Sequence, residues 1–239
     1  MKFPRTLNLA LACMITACGT VNSSELRSDK ASDLTLEAHF YASNASDLVT
    51  VDGQMETSQS HTKVEFDQGQ ELYVAVGTTE EDLAWDDFSD SFAGALFEGL
   101  DSEYIDKASD NEKYHIKYID NEGNETIISI EPNFVAELTS PEADTNVGET
   151  VELTWDPEEE MNGRLYAIAE YRSDSKSGTI IQLIEENNGS FIFDISEAEG
   201  TGTIKLTHVT SYDDLEGFEQ TDVDISTSSQ EVSVTFNAP

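Results

Sequence analysis

The chain has 239 residues, of which 12 are Lys or Arg and 49 are Asp or Glu, for a net charge of −37. A charge of that sign and size argues against nucleic-acid partners and against docking on anionic headgroups. The acids run through both halves, 26 before residue 137 and 23 from there on, so the acidity belongs to the whole surface and not to a tail, and salt or divalent cations would screen it.

The chain opens Met-Lys-Phe-Pro-Arg, followed by an apolar stretch from Leu7 to Ala17 and then Cys18-Gly19. Lys2 and Arg5 supply the positive start of an export signal peptide, residues 1–17, and the apolar stretch supplies its middle. That stretch is too short for a permanent spanning helix, which takes roughly 20 residues. Ile15-Thr16-Ala17-Cys18 resembles the bacterial lipobox, with a branched apolar residue and two small ones ahead of a Cys that becomes acylated. The resemblance implies a lipoprotein, cleaved after Ala17 and lipid-anchored through a multiply acylated Cys18. It also implies an outer-membrane address, since Gly19 is not the Asp that holds such proteins in the inner membrane. A single acyl chain anchors only marginally, and two or more make attachment stable. Cys13 fits less well, because Ala10 would stand at the branched position and the apolar stretch would be cut in half. Without Lys2 and Arg5 the mature chain has ten basic residues against 49 acids, or −39. Its one Cys is acylated, which leaves no disulfide, thiolate nucleophile or Cys-held metal.

Residues 18–33 read as the lipidated Cys and a flexible tether, since 19–33 are polar without apolar periodicity. Fifteen coil residues span about 20 Å on average. From Leu34 the period is two: Leu34, Leu36, Ala38 and Phe40 alternate, then Val64 and Phe66, then Leu72, Val74 and Val76. Tyr114, Ile116 and Tyr118 follow, and the turn Asp120-Asn121-Glu122-Gly123 leads to Ile128 and Ile130. Strands joined by polar turns predict an all-β sandwich over 34–133. Between Leu83 and Leu100 the spacing of Trp85, Phe88, Phe92 and Leu96 suits a helix, which Gly94 and Gly99 weaken.

A second unit is expected over 134–239. Leu138-Thr139-Ser140-Pro141 marks its edge, because Pro does not suit central ladder positions. Val151, Leu153 and Trp155 alternate after Gly148, and strands are predicted around 164–171, 178–184, 190–195, 202–209 and 230–236. Seven or so short strands over roughly 100 residues is an Ig-like count. The segment from Ser140-Pro141 through Gly148 to Leu153-Thr154-Trp155-Asp156-Pro157 resembles the opening strands of fibronectin-III and related Ig-like modules, where a Trp closes the second strand. The whole plan is similar to that of uncharacterised bacterial lipoproteins with tandem sandwiches of this kind. That resemblance implies a fold and an address and no activity. Thr203-Ile204-Lys205-Leu206-Thr207-His208 lacks the corner Tyr of fibronectin-III.

Nucleophile-elbow, zinc-protease and phosphate-loop motifs are absent. His39, His61, His115 and His208 fall on separate strands or turns, where a lone His is usually structural. Acid groups stand at Asp120, Glu122, Asn124 and Glu125, at Asp86, Asp87 and Asp90, and at Asp213, Asp214 and Glu216. Each could offer calcium three or four oxygens of the six to eight it needs. With so many acids, a solvated turn is the simpler reading, and no metal or cofactor is expected. Trp85, Phe88, Phe92 and Phe97 could form a glycan or partner face, although Phe usually belongs in a core; Trp155 reads as core. The expectation is a lipid-anchored cell-envelope protein with a non-enzymatic binding or structural role and an unidentified envelope protein or glycan partner. The alternatives are an envelope-polymer hydrolase using carboxylates and a passive acidic coat.

Overall fold

A computed structural model describes residues 20–22, 30–57, 63–66, 69–79, 83–89, 103–157 and 162–236. Cys18, His61, Asp90, Phe92 and Phe97 lie outside the described residues. The chain is all-β. The first half contributes β1 (Thr20–Asn22), β2 (Leu34–Ser43), β3 (Leu48–Thr57), β4 (Lys63–Glu65), β5 (Glu71–Gly77), β6 (Asp86–Asp87), β7 (Glu103–Asp106), β8 (Lys113–Ile119) and β9 (Glu125–Ile130). The second contributes β10 (Leu138–Ser140), β11 (Thr145–Val147), β12 (Thr150–Trp155), β13 (Arg164–Arg172), β14 (Ser177–Ile184), β15 (Ser190–Asp194), β16 (Gly200–Asp213), β17 (Gln220–Ser228) and β18 (Val232–Phe236). Among the described residues, no helix is long and apolar enough to cross a membrane.

In the first sandwich, β2 and β3 pair antiparallel, β4 and β7 both join β3, and β6-β5-β8-β9 form the facing sheet. Strict alternation along β2 sends Leu34, Leu36, Ala38 and Phe40 inward, where they join Leu72, Val74, Tyr114 and Ile116 in one core. The Phe40 and Tyr114 rings lie 4.8 Å apart, within the range of favourable aromatic pairs. In the second sandwich, β10-β12-β15 face a sheet containing β18, β16, β13 and β14, and β11 runs parallel to β18. This is the Ig-like division into an A-B-E sheet and a G-F-C sheet. Trp155 is buried at the end of β12, as its alternation predicted, and its Nε1 donates to Asn187 Oδ1 at 2.7 Å.

The apolar cores divide between Ile130 and Val135, yet one hairpin crosses that division. The start of β16 pairs with β18 inside the second sandwich, while Thr207–Asp213 continue beyond it and pair with β17. The other edge of β17 then lies parallel to β2, from Gln220 opposite Thr35 to Ser228 opposite Ser43. A single sheet therefore runs β4-β3-β2-β17-β16-β13-β14 through both sandwiches. Phe218, Val223 and Ile225, carried by the hairpin, are buried in the first core.

Two sequence expectations change here. The predicted strands around 202–209 and 230–236 leave out 220–228, which forms β17, with Val223 and Ile225 alternating inward and Asp222 and Asp224 outward. The stretch read as a flexible tether contains β1, paired in parallel with β4, and a 3-10 turn at Ala31–Asp33 that buries Ala31.

The linker is stitched to the hairpin. Tyr212 donates its hydroxyl to Glu131 O at 2.8 Å. Buried Asn133 donates Nδ2 to Ile225 O at 2.8 Å and to His208 O at 3.1 Å, with Thr210 Oγ1 at 3.2 Å. Thr227 donates its hydroxyl to Asn133 Oδ1 at 2.5 Å. His208 places Nδ1 2.7 Å from Phe134 O and Nε2 2.6 Å from Asn162 O. The adjoining Gly163, at φ +113°, leaves no space for a side chain, since a Cβ would stand 2.3 Å from Val209 O.

Candidate functional site: the open face of the shared sheet

Side chains that alternate away from the cores share one face of the long sheet, and the register sets them in rows. One row reads Asp213, Asp222, Glu37, Gln54, and the next reads Ser211, Asp224, His39, Asp52. A third reads Val209, Ser226, Tyr41, Thr50, Tyr104. The acidic band exists only because β17 lies beside β2, which brings acids from distant parts of the sequence onto neighbouring strands.

His39 sits inside that band, with Nε2 3.1 Å from Glu37 Oε1 and Nδ1 3.7 Å from Asp224 Oδ2. Gln54 donates Nε2 to both Glu37 and Glu56, and Ser211 donates its hydroxyl to Asp224 Oδ1 at 2.6 Å. Burial pushes the Asp222 carboxyl above its ordinary range, and the charges of Asp224, Glu37 and Asp213 push it further. Burial also raises Asp52, where attraction to His39 opposes it and Glu37 adds to it. The Tyr41 hydroxyl is raised by burial and then by Asp52, Asp224 and Glu37. Among the described residues, no three His, Cys, Asp or Glu side chains are arranged to hold a metal ion.

The third row opens into a groove of about 310 Å³ at the seam between the sandwiches. Tyr41, Leu48 and Tyr104 from the first sandwich line it, 48%, 47% and 63% exposed, and Lys205, Ser228 and Glu231 line it from the second. Lys205 Nζ lies 2.9 Å from Glu231 and 3.5 Å from Glu170. Its burial favours the neutral amine, but the Glu231 hydrogen bond and the two carboxylate charges outweigh burial and raise it. Among the described residues, Glu231 is the one carboxylate in the lining.

Several of the other candidates are tied into local hydrogen bonds. Asp120 accepts from the Glu122 and Asn124 amides at 3.0 and 2.8 Å, and from Asn124 Nδ2 at 2.8 Å. Its burial alone would raise the carboxyl, but these bonds prevail and hold it low, so its oxygens shape the turn. Asp87 accepts from the Ser89 hydroxyl at 2.6 Å and the Ser89 amide at 3.0 Å. Buried His115 lies 2.9 Å from Ser129 Oγ and 3.2 Å from Gly77 O. Phe88 is core, and Trp85 stacks under Lys117 Nζ at 4.5 Å. The groove tyrosines escaped the sequence reading, although Tyr41 carried a signal: a large ring at the outward position of a strictly alternating strand.

No family model matches the chain, and no curated protein matches it. Among solved structures it is similar to the crystal structure of chicken CNTN1 FN1-FN3 domains, at 12% identity over 87% of this chain and 68% of that one, with a TM-score of 0.32. A likeness that slight decides nothing, and the all-β sandwich assignment rests on the sheets themselves.

Proposed function

We propose that the protein is a lipid-anchored component of the cell envelope with a non-enzymatic binding role, holding its ligand in the seam groove while acyl chains on Cys18 tie it to the outer membrane. The observation that carries the reading is the groove itself. Tyr41, Leu48 and Tyr104 stay exposed beside hydroxyl groups in one concavity, while the other exposed large hydrophobic side chains among the described residues, Ile181, Leu183 and Ile192, lie on β14 and β15. Exposed apolar groups gathered in a concavity with a few polar neighbours are the usual marks of a binding site. The groove draws on both sandwiches, so the strand pairing that joins them also builds the site.

The test is co-sedimentation of residues 19–239, which include every described residue, with purified envelope fragments. The wild-type fragment is expected to pellet, and Tyr41→Ala/Tyr104→Ala to lose at least tenfold in retention at an unchanged melting temperature. Equal retention of the double variant would remove the groove from the account. A wild-type fragment that never pellets would leave a passive coat as the better description.

A further inference from the structure

Resting on that reading of the groove, we infer that its ligand is a neutral β-linked polysaccharide chain. Charge narrows the choice first. Among the described residues, the one cation in the lining, Lys205, is already engaged by Glu231 and Glu170, and the neighbouring row carries Asp224 and Asp52. A phosphate, a sulfate or an acidic peptide would meet repulsion and no free partner.

The lining chemistry narrows it further. Thr50 stands between the two tyrosines, and Ser43 and Ser46, whose oxygens accept from the Ala45 and Leu48 amides, line the groove with O–H groups left to donate. Saccharides present flat C–H faces that stack on aromatic rings and equatorial hydroxyls that bond to side chains of this type. Tyrosine supplies both kinds of contact at low entropic cost.

Spacing adds a third constraint. Tyr41 and Tyr104 are cross-strand neighbours of the same residue, Thr50, one on each side. Their Cα atoms are thus two strand spacings apart, about 10 Å. That matches the disaccharide repeat of an extended β-1,4-linked chain, in which every second ring presents the same face. Two rings of one chain can therefore stack on Tyr41 and Tyr104 while the ring between them spans Thr50.

The experiment is an NMR titration of ¹⁵N-labelled residues 19–239 with chitohexaose, run beside a lysine-rich peptide of similar length. Chitohexaose is expected to shift the amides of Tyr41, Thr50, Tyr104 and Ser228 saturably. Tyr41→Ala and Tyr104→Ala, each at an exposed position, should each weaken binding at least tenfold with the rest of the spectrum retained. No saturable shift at millimolar chitohexaose, shifts away from the groove, or indifference to both substitutions would overturn the inference. So would saturable groove binding by the peptide in place of the sugar. If the sugar fails while Tyr41→Ala/Tyr104→Ala still abolishes envelope retention, the saccharide is wrong and the groove stands; if retention is also unaffected, both fall.

Discussion

Replacing Asn133 with alanine removes the side chain that fastens the linker to both strands of the crossing hairpin. The amide donates toward two backbone carbonyls, His208 O and Ile225 O, and toward Thr210 Oγ1, and it accepts from the Thr227 hydroxyl. Asn133 is 7% exposed, so water cannot take over those roles cheaply. Each such bond contributes about 0.5–1.5 kcal/mol net, and a buried group left unpaired costs more. Thr227 keeps a second acceptor in Asn133 O at 3.1 Å, which limits the loss on that side. The expected cost is therefore about 2–4 kcal/mol. With a urea slope near 2 kcal/mol/M, the midpoint of residues 19–239 should fall by about 1–2 M at an unchanged slope. Asn133→Asp should cost more than alanine, because a buried anion would face the same carbonyl oxygens without a donor to give. A loss below about 0.5 kcal/mol for alanine, or aspartate tolerated better than alanine, would refute the fastening role.

Further outcomes follow from the shared sheet and the N-terminal sequence. Residues 134–239 expressed alone should keep β-type circular dichroism but bind a hydrophobic dye, since Phe218, Val223 and Ile225 lose the core that buries them, at about 1.5–3 kcal/mol for each large side chain; a fragment blind to the dye counts against the crossing hairpin. The folded chain holds the Asp222 proton more tightly than the unfolded chain, so its ionisation costs stability above the raised value, and that cost disappears as pH falls through it. Asp222→Asn should accordingly add about 0.2–1 kcal/mol at pH 7, the scale of exposed cross-strand charge pairs, and nothing below pH 3.8; thermal melts at the two pH values decide it. Cys18→Ser should abolish incorporation of labelled fatty acid, and label persisting in that variant would sink the lipid assignment.

Much of the fold was legible because its strands follow simple alternation. Leu34 to Phe40, Leu72 to Val76, Tyr114 to Tyr118 and Val151 to Trp155 each mark a strand that the structure contains. The crossing hairpin was not, for a physical reason. An outward face of aspartates looks like a solvated loop unless the neighbouring strand is known, and that neighbour, β2, is almost two hundred residues earlier. The site was hidden by the same separation. Tyr41, Tyr104 and Ser228 come from three distant segments, and only register brings them to one groove. Asn133 gave no local signal either, because a lone Asn beside Pro132 reads as a turn. The acidic turns misled in the opposite direction: Asp120 stood out by composition, and its oxygens are taken by the Glu122 and Asn124 amides and by the Asn124 side chain.

Amide hydrogen exchange along β17 tests most directly whether one sheet unites the two sandwiches and so builds the groove. If β17 is bonded to β2 on one edge and β16 on the other, amides from Thr221 to Ser228 should exchange as slowly as those of β13 in the second sandwich and β8 in the first. Exchange of the β17 amides within minutes, while β13 and β8 stay protected, would contradict the shared sheet and the groove that depends on it.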